Sequence, residues 1–351
     1  MKSSPIVPTN NPDPPMPLPT QMSAITVPVP GGPQAMQLAR LPLPQPGRGE
    51  VLIRVTAAGV NAPDLAQRAG SYPPPPGASP LLGLEVSGEI AVAAGEWKIG
   101  DRVVALTNGG GYAEYVAVPS GQVLPAPDNW SLADAAALPE TWFTITQTLV
   151  MRSGLAPGMS VLVTGAAGGI GGAAIQISKI LGADPIALVS SSEKAAYALG
   201  LGARAVIRHD TEDVVARVRE LTGGKGVDRV VDMVGGDATR RNIDALARFG
   251  HLVLVATLGD RNADLPLSKL VANDLTLSGS RLRPQTSAEK AAIAAHLREH
   301  IWPALADRAL PHPKIRRFAL AQAADAHRAA ADRGHYGKII LLTGEAAHAI
   351  V

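Results

Sequence analysis

Ser160-Val-Leu-Val-Thr164, running directly into Gly165-Ala-Ala-Gly-Gly-Ile-Gly171, is the stretch that decides the fold. The first five residues read as a short apolar strand. The glycines make a turn almost bare of side chains. Ile170, Ala173, Ala174, Ile177, Ile180 and Leu181 then recur on one helical face at a period of 3.6 residues. Downstream the alternation continues. Strands are expected at Ile186–Val189, Ala205–Ile207, Val227–Val231 and His251–Val255. Helices are expected around Lys194–Leu199, Thr211–Leu221 and Asp237–Ala247. Repeated strand–helix units of this kind specify a parallel sheet covered on both faces, an α/β doubly wound architecture.

The turn has a chemical use. Amides opening a helix point outward without partners, and the helix dipole adds partial positive charge there. A dinucleotide pyrophosphate can settle on them where no side chain intervenes. Gly165, Gly168 and Gly171 recur at every third residue, and Gly169 adds a fourth. The candidate cradle is therefore Gly165, Ala167, Gly168, Gly169, Ile170 and Gly171. Its spelling departs from the commonest glycine fingerprint, so its weight comes from the strand before it and the helix after it. An NAD site usually carries an acidic residue about 20 positions on, at the end of the second strand. Here Val189 is followed by Ser190, Ser191 and Ser192, with Lys194 close behind and Arg208 and His209 ending the next strand. Hydroxyls and cations accept a 2′-phosphate that a carboxylate would repel. NADPH is thus expected over NADH.

Upstream, short alternating runs such as Val51–Val55, Glu85–Ile90 and Arg102–Leu106 are separated by Pro46-Gly-Arg-Gly49, Gly100-Asp101 and Gly109-Gly-Gly111. These are the marks of a mostly antiparallel β domain, with Pro73–Pro76 in a loop. Residues 1–21 are different: seven of the first 19 are proline and none is aromatic. They read as a disordered or polyproline-like tail, and Met22 opens the first globular stretch.

Composition limits the remaining classes. Across 351 residues, 32 basic and 30 acidic side chains leave a formal charge of +2, which argues against nucleic acid or an anionic membrane as the main partner. With no cysteine there is no disulfide, thiol nucleophile or thiolate-bound zinc. That is compatible with the cytosol. No apolar run approaches the ~18 residues that suggest a membrane span.

Several stretches together carry a family resemblance: Ala58-Gly-Val-Asn-Ala-Pro-Asp64, Tyr72-Pro-Pro-Pro-Pro-Gly77, Gly100-Asp-Arg-Val-Val-Ala105, Gly109-Gly-Gly-Tyr-Ala-Glu-Tyr115, Ala137-Leu-Pro-Glu140, Ala166–Gly171, Gly279-Ser-Arg-Leu-Arg283 and Gly337-Lys-Ile-Ile-Leu341. From about Met22 to Thr343 the chain resembles the medium-chain dehydrogenase/reductase superfamily, and within it the zinc-free, zeta-crystallin-like quinone oxidoreductases. The resemblance implies a GroES-like catalytic domain over 22–145, completed by 309–351. It also implies a Rossmann domain over 146–308, a cofactor cleft between the two, and a homodimer made through the Rossmann domains. Zinc-dependent relatives carry a cysteine where this chain has Asn61 and a histidine where it has Leu84, so no metal site is expected.

By the same resemblance, Asn61 lies at the nicotinamide and substrate, Tyr72 borders the substrate pocket, and Thr144 meets the nicotinamide end. Lys194 and Ser191 belong to the 2′-phosphate site. His209 stands where the family commonly has a tyrosine reaching that phosphate, and Lys338 lies close to the cofactor. Asn61 also reads as a plain turn residue, and Tyr72 as a cover for the proline loop. The implied chemistry is hydride or electron transfer from NADPH to a quinone, with a 2-alkenal or enone as the alternative acceptor. A non-catalytic crystallin-like or RNA-binding role is a further alternative. Arg281 and Arg283 fit the interdomain region or a surface role. His296-Leu-Arg-Glu-His300 spells a metallopeptidase motif, but it falls in a helical run, Ala288–Leu305, that reads as the family's crossing helix.

Overall fold

The computed structural model describes residues 17–306 and 310–348. Six strands form a fully parallel sheet in the spatial order 205–208, 184–189, 160–163, 227–232, 246–254, 276–279. Numbered along the chain this is the order 3-2-1-4-5-6 of a doubly wound dinucleotide-binding sheet. The order reverses between Ser160–Val163 and Val227–Asp232, and a crevice outside the carboxyl ends of these two strands is where such sheets bind ligands. The helix Gly169–Ile180 leaves from that point, burying Ala173, Ala174, Ile175 and Ile177.

The second sheet has seven strands and is largely antiparallel. Its path runs 315–319, 338–342, 50–60, 85–92, 102–106 and 123–125, with 115–119 paired to 50–60. The C-terminal strand Lys338–Leu342 pairs directly with Glu50–Val60, which returns the end of the chain to the first region. This is the GroES-like part, and the fold is the α/β class expected. A single apolar core crosses from one sheet to the other. Val104, Leu106 and Leu124 pack with Val161, Val163 and Ala174 through Trp142, Phe143 and Leu149. The helix Pro139–Ile145, continued as a π-helix over Thr146–Arg152, passes through the middle of it.

Four element boundaries shift from the expectation. Residues 1–16 of the proline-rich tail lie outside the described residues, but Gln21 already opens the strand Gln21–Thr26, and Met22 is buried. The helix expected from Thr211 begins at Val214, because Asp213 accepts from Ala216 N–H and caps it there. The helix expected to reach Ala247 ends at Asp244, since Leu246 and Ala247 are taken into the strand Leu246–Leu254. The crossing helix stops at His300 and gives way to a 3-10 turn over Trp302–Ala306. No helix among the described residues is long and apolar enough to cross a membrane.

Candidate functional site

The glycine turn does two different jobs. Gly165 has φ +56°, a conformation costly for residues with a Cβ, and it turns the chain out of the strand. Gly171 lies against the turn itself: a Cβ there would stand 2.5 Å from both Ala166 Cα and Gly165 O. Gly171 is thus a packing glycine as well, and its main-chain N–H is what it could offer to a cradle. Gly168 is the N-cap of the helix, offers no side-chain cap, and no acidic residue follows in the first turn. Gly165 to Gly168, including Ala167, line a cavity of about 330 Å³. Ile170 is half-buried and packs against the core, so its contribution to a cradle would be its main-chain N–H.

The far wall of this cavity is cationic. Ser190, Lys194, His209, Arg241 and His335 line it, and among the described residues no Asp or Glu does. Lys194 Nζ is 3.5 Å from Ser190 Oγ and donates to the Arg333 carbonyl at 2.8 Å, bridging the Rossmann part to the C-terminal segment. Ser190 is the serine that lines the space. Ser191, the one expected, caps the helix Ser192–Gly200 by accepting from Lys194 N–H at 3.3 Å, and so sets where Lys194 begins. Arg208 is not among the residues lining the cavity and pairs with Asp210 at 2.7 Å. Arg241 and His335 were missed in the sequence, because neither lies within a quoted motif and each reaches the cavity only through the fold. Arg241 Nε is buried with no hydrogen-bond partner among the described residues.

At the other end of the turn lies a buried charge cluster. Glu85, fully buried, accepts from Asn61 Nδ2 at 2.8 Å and Lys338 Nζ at 2.5 Å on one oxygen. Its other oxygen accepts from Glu140 N–H at 2.8 Å. Lys338 also donates to Asn61 Oδ1 at 2.8 Å. The Lys338 stem lies over the helix start, where a Cβ on Gly169 would come within 2.7 Å of Lys338 Cδ. The Lys338 stem thus lies beside the start of this helix, and its ammonium is committed to Glu85 and Asn61. Asn61 is more than a turn residue: both ends of its amide are engaged, and one of its two N–H donors remains.

Asp64 reaches back to Asn61 N–H at 2.9 Å and accepts from Gly83 N–H at 2.9 Å. Burial still pushes its carboxyl up to about 6, with Glu85 adding repulsion. Behind it, Tyr112 OH is 3.0 Å from His327 Nε2, and burial brings that imidazole down to about 3, so it is neutral.

Thr144 Oγ1 donates to the Glu140 carbonyl at 2.7 Å, which leaves its lone pairs as acceptors. Tyr72 lies under two guanidinium groups, 5.9 Å from Arg281 and 5.5 Å from Arg283 measured to the ring centroid. Arg283 is buried, donates to the Asn108 carbonyl at 2.8 Å, and leaves Nη1 without a partner among the described residues. Lys290, fully buried, donates to Asn108 Oδ1 and to the Arg283 carbonyl. Burial lowers its ammonium to about 8. His296 and His300 do share one side of their helix, with ring centroids 4.5 Å apart. Among the described residues no group of three or more His, Asp or Glu could hold a metal ion.

Comparison with known proteins places this geometry. Residues 47–128 match the alcohol dehydrogenase GroES-like domain, and residues 169–297 match the family described as zinc-binding dehydrogenase. The quinone oxidoreductase of Pseudomonas aeruginosa is 34% identical over 321 residues, covering 89% of this chain and 97% of that protein. A phenolphthiocerol/phthiocerol polyketide synthase of Mycobacterium tuberculosis is 31% identical over 325 residues, and there the chain spans only 14% of the relative's length. A mycobacterial protein solved in complex with NADPH superposes with a TM-score of 0.79 at 33% identity, over 92% of this chain and 99% of that one. The chain belongs to the medium-chain dehydrogenase/reductase superfamily, in its quinone oxidoreductase branch.

Proposed function

We propose that the protein is an NADPH-dependent, metal-independent oxidoreductase that delivers hydride to a quinone, with a 2-alkenal or enone as the alternative acceptor. The observation that carries this reading is the cavity beside the glycine turn, lined by Lys194, Arg241, His209 and His335 and, among the described residues, by no carboxylate. Bound nicotinamide supplies the hydride. The chain's own residues bind and orient. Amides of Gly169, Ile170 and Gly171 face the pyrophosphate. Lys194, Ser190 and Arg241 hold the 2′-phosphate through charge-assisted hydrogen bonds, with His209 at the rim. Thr144 Oγ1 accepts from the carboxamide. The free N–H of Asn61 and the Tyr72 hydroxyl meet the acceptor oxygen, where developing charge is stabilised. Ser191 and Lys338 are positioning residues, the first for Lys194 and the second for Asn61. In this reading residues 22–145 with 309–351 form the catalytic domain and 146–308 the cofactor domain.

A panel of quinones, enals and enones in an NADPH-oxidation assay tests the acceptor class. The cofactor is tested by Lys194→Met combined with Arg241→Met. Each lost charge-assisted bond is worth about 1.5–3 kcal/mol. The double variant should raise the KM for NADPH by about 100-fold or more and leave that for NADH within about threefold. A wild-type enzyme that favours NADH tenfold would refute the assignment.

The same reading takes the protein as a homodimer through the cofactor domain. In support, Thr276–Gly279 is a free sheet edge among the described residues, and Leu258, Leu267 and Val271 stand 71%, 66% and 80% exposed nearby. Val271→Asp should convert a dimer to a monomer in light scattering; a wild-type monomer would refute this part alone.

A further inference from the structure

Glu140 occupies a singular place on its helix. In Pro139–Ile145 every residue is buried except Glu140. Its main chain is fixed at both ends: the N–H donates to Glu85 Oε2 and the carbonyl accepts from Thr144 Oγ1, at 2.8 and 2.7 Å. Its carboxyl, in contrast, takes part in none of the hydrogen bonds or ion pairs that hold its neighbours. Glu85 is satisfied by Asn61, Lys338 and the Glu140 amide. Asp64 is satisfied by two main-chain amides. Among the described residues, Glu140 is thus the carboxyl of this cluster left with no partner. It stands one helical turn before Thr144 and is bonded through its amide to the carboxylate that holds Asn61.

We propose that Glu140 is the proton donor of the reaction, a neutral carboxylic acid that protonates the acceptor's carbonyl oxygen as hydride arrives. The proposal rests on the reading given above. Hydride adds to the conjugated system of the acceptor and sends an electron pair to its carbonyl oxygen. That oxygen forms an O–H bond with the Glu140 proton, and the pair from the broken Oε–H bond stays on the carboxylate. The acceptor ends two electrons reduced, as a hydroquinone or an enol, and the dinucleotide ends oxidised. Water returns the proton to Glu140 after product leaves.

Electrostatics agree with the geometry. Burial pushes the Glu140 carboxyl up to about 8, with Glu85 and then Asp64 adding repulsion, against a smaller pull from Lys338 and Lys290. Arg283, from the loop after Thr276–Gly279, is close enough for Glu140 to favour its charged form. Lys290 is the competing proton source, but it is fully buried and donates to Asn108 and the Arg283 carbonyl. Glu140 is only half-buried as a residue, and its carboxyl carries no such bonds.

The test compares wild type with Glu140→Gln, Glu140→Asp and Lys290→Met, using NADPH and an enone. General-acid catalysis is typically worth about 10²–10⁴-fold. Glu140→Gln should lower kcat about 100-fold or more with NADPH affinity, read by fluorescence titration, within about threefold. Glu140→Asp should recover part of the loss. Wild-type kcat/KM should fall as pH rises through about 8, the limb should vanish in Glu140→Gln, and it should persist in Lys290→Met. A readout independent of turnover is stability against pH. A carboxyl raised in the folded state contributes stability that is present below its unfolded pKa, near 4.5, and lost as pH rises through about 8. Relative to wild type, Glu140→Gln should therefore gain melting temperature between pH 5 and pH 9. The proposal is overturned if Glu140→Gln keeps the wild-type rate and pH profile, if the limb goes with Lys290 instead, or if the two melting curves shift in parallel with pH. Failure of wild type to bind NADPH would instead sink the functional reading beneath it.

Discussion

Lys338→Met should cost the protein about 3–5 kcal/mol of stability, the effect of removing one partner from a buried ion pair. Lys338 is 4% exposed and Glu85 not at all, and among the described residues the ammonium is the only cation bonded to that carboxylate. Without it, a charged Glu85 would stand near Asp64 and Glu140 in a site that water cannot screen. Asn61 would lose the donor on its Oδ1 and with it half of its orientation. Glu85→Gln placed on the Lys338→Met background should restore much of the loss, because the amide removes the orphaned charge. Denaturant unfolding of both single variants and the double closes the cycle. Independent, additive losses would show that Lys338 and Glu85 are not energetically coupled.

That pair explains what the sequence could and could not disclose. Asn61, Glu85, Glu140 and Lys338 come from four separate segments, and no spacing rule links them. The resemblance singled out Asn61 and Lys338 as neighbours of the cofactor. It could not reveal that Lys338 is spent on Glu85, because that depends on the strand Lys338–Leu342 pairing with Glu50–Val60. Glu140 lay inside a quoted motif and still escaped notice as chemistry. Its significance is the lack of a partner, and that is a property of surroundings rather than of residue type. The same holds for Arg241, which a helix from the fourth strand carries to the cavity.

The Rossmann part was far more legible. A parallel strand buried on both faces reads as a continuous apolar run, and its helix shows a 3.6-residue stripe, so local pattern and tertiary role coincide. The expected elements differ mainly at their ends, where a capping Asp213 or the strand beginning at Leu246 decides the boundary, and the short helix Leu267–Ala272 and edge strand Thr276–Gly279 were not among them. The two serines after Val189 could not be told apart for a similar reason. Ser190 and Ser191 are adjacent and chemically identical, and only the cap at Ser191 separates their tasks.

The glycine turn offers the second large effect, because two of its glycines should fail in opposite ways. Gly171→Val should destabilise the fold by about 3 kcal/mol or more, at the upper end of overpacking costs. The new Cβ would meet Ala166 Cα, Gly165 O and Ala166 C at 2.5 to 2.8 Å, all of them main-chain atoms that cannot rotate aside. The helix would have to lift from its strand, and binding of NADPH would go with it. Gly168→Ala meets no such wall. Its φ of −82° suits any residue, and the added Cβ would lie 3.4 Å from Gly165 O. That variant should melt within a few degrees of wild type and yet bind NADPH about tenfold or more weakly, since the methyl group enters the space the phosphates need. Thermal melts and fluorescence titrations on the two variants separate the roles. A Gly171→Val protein that melts like wild type would remove the packing argument, and a Gly168→Ala protein with undiminished NADPH affinity would remove the cradle.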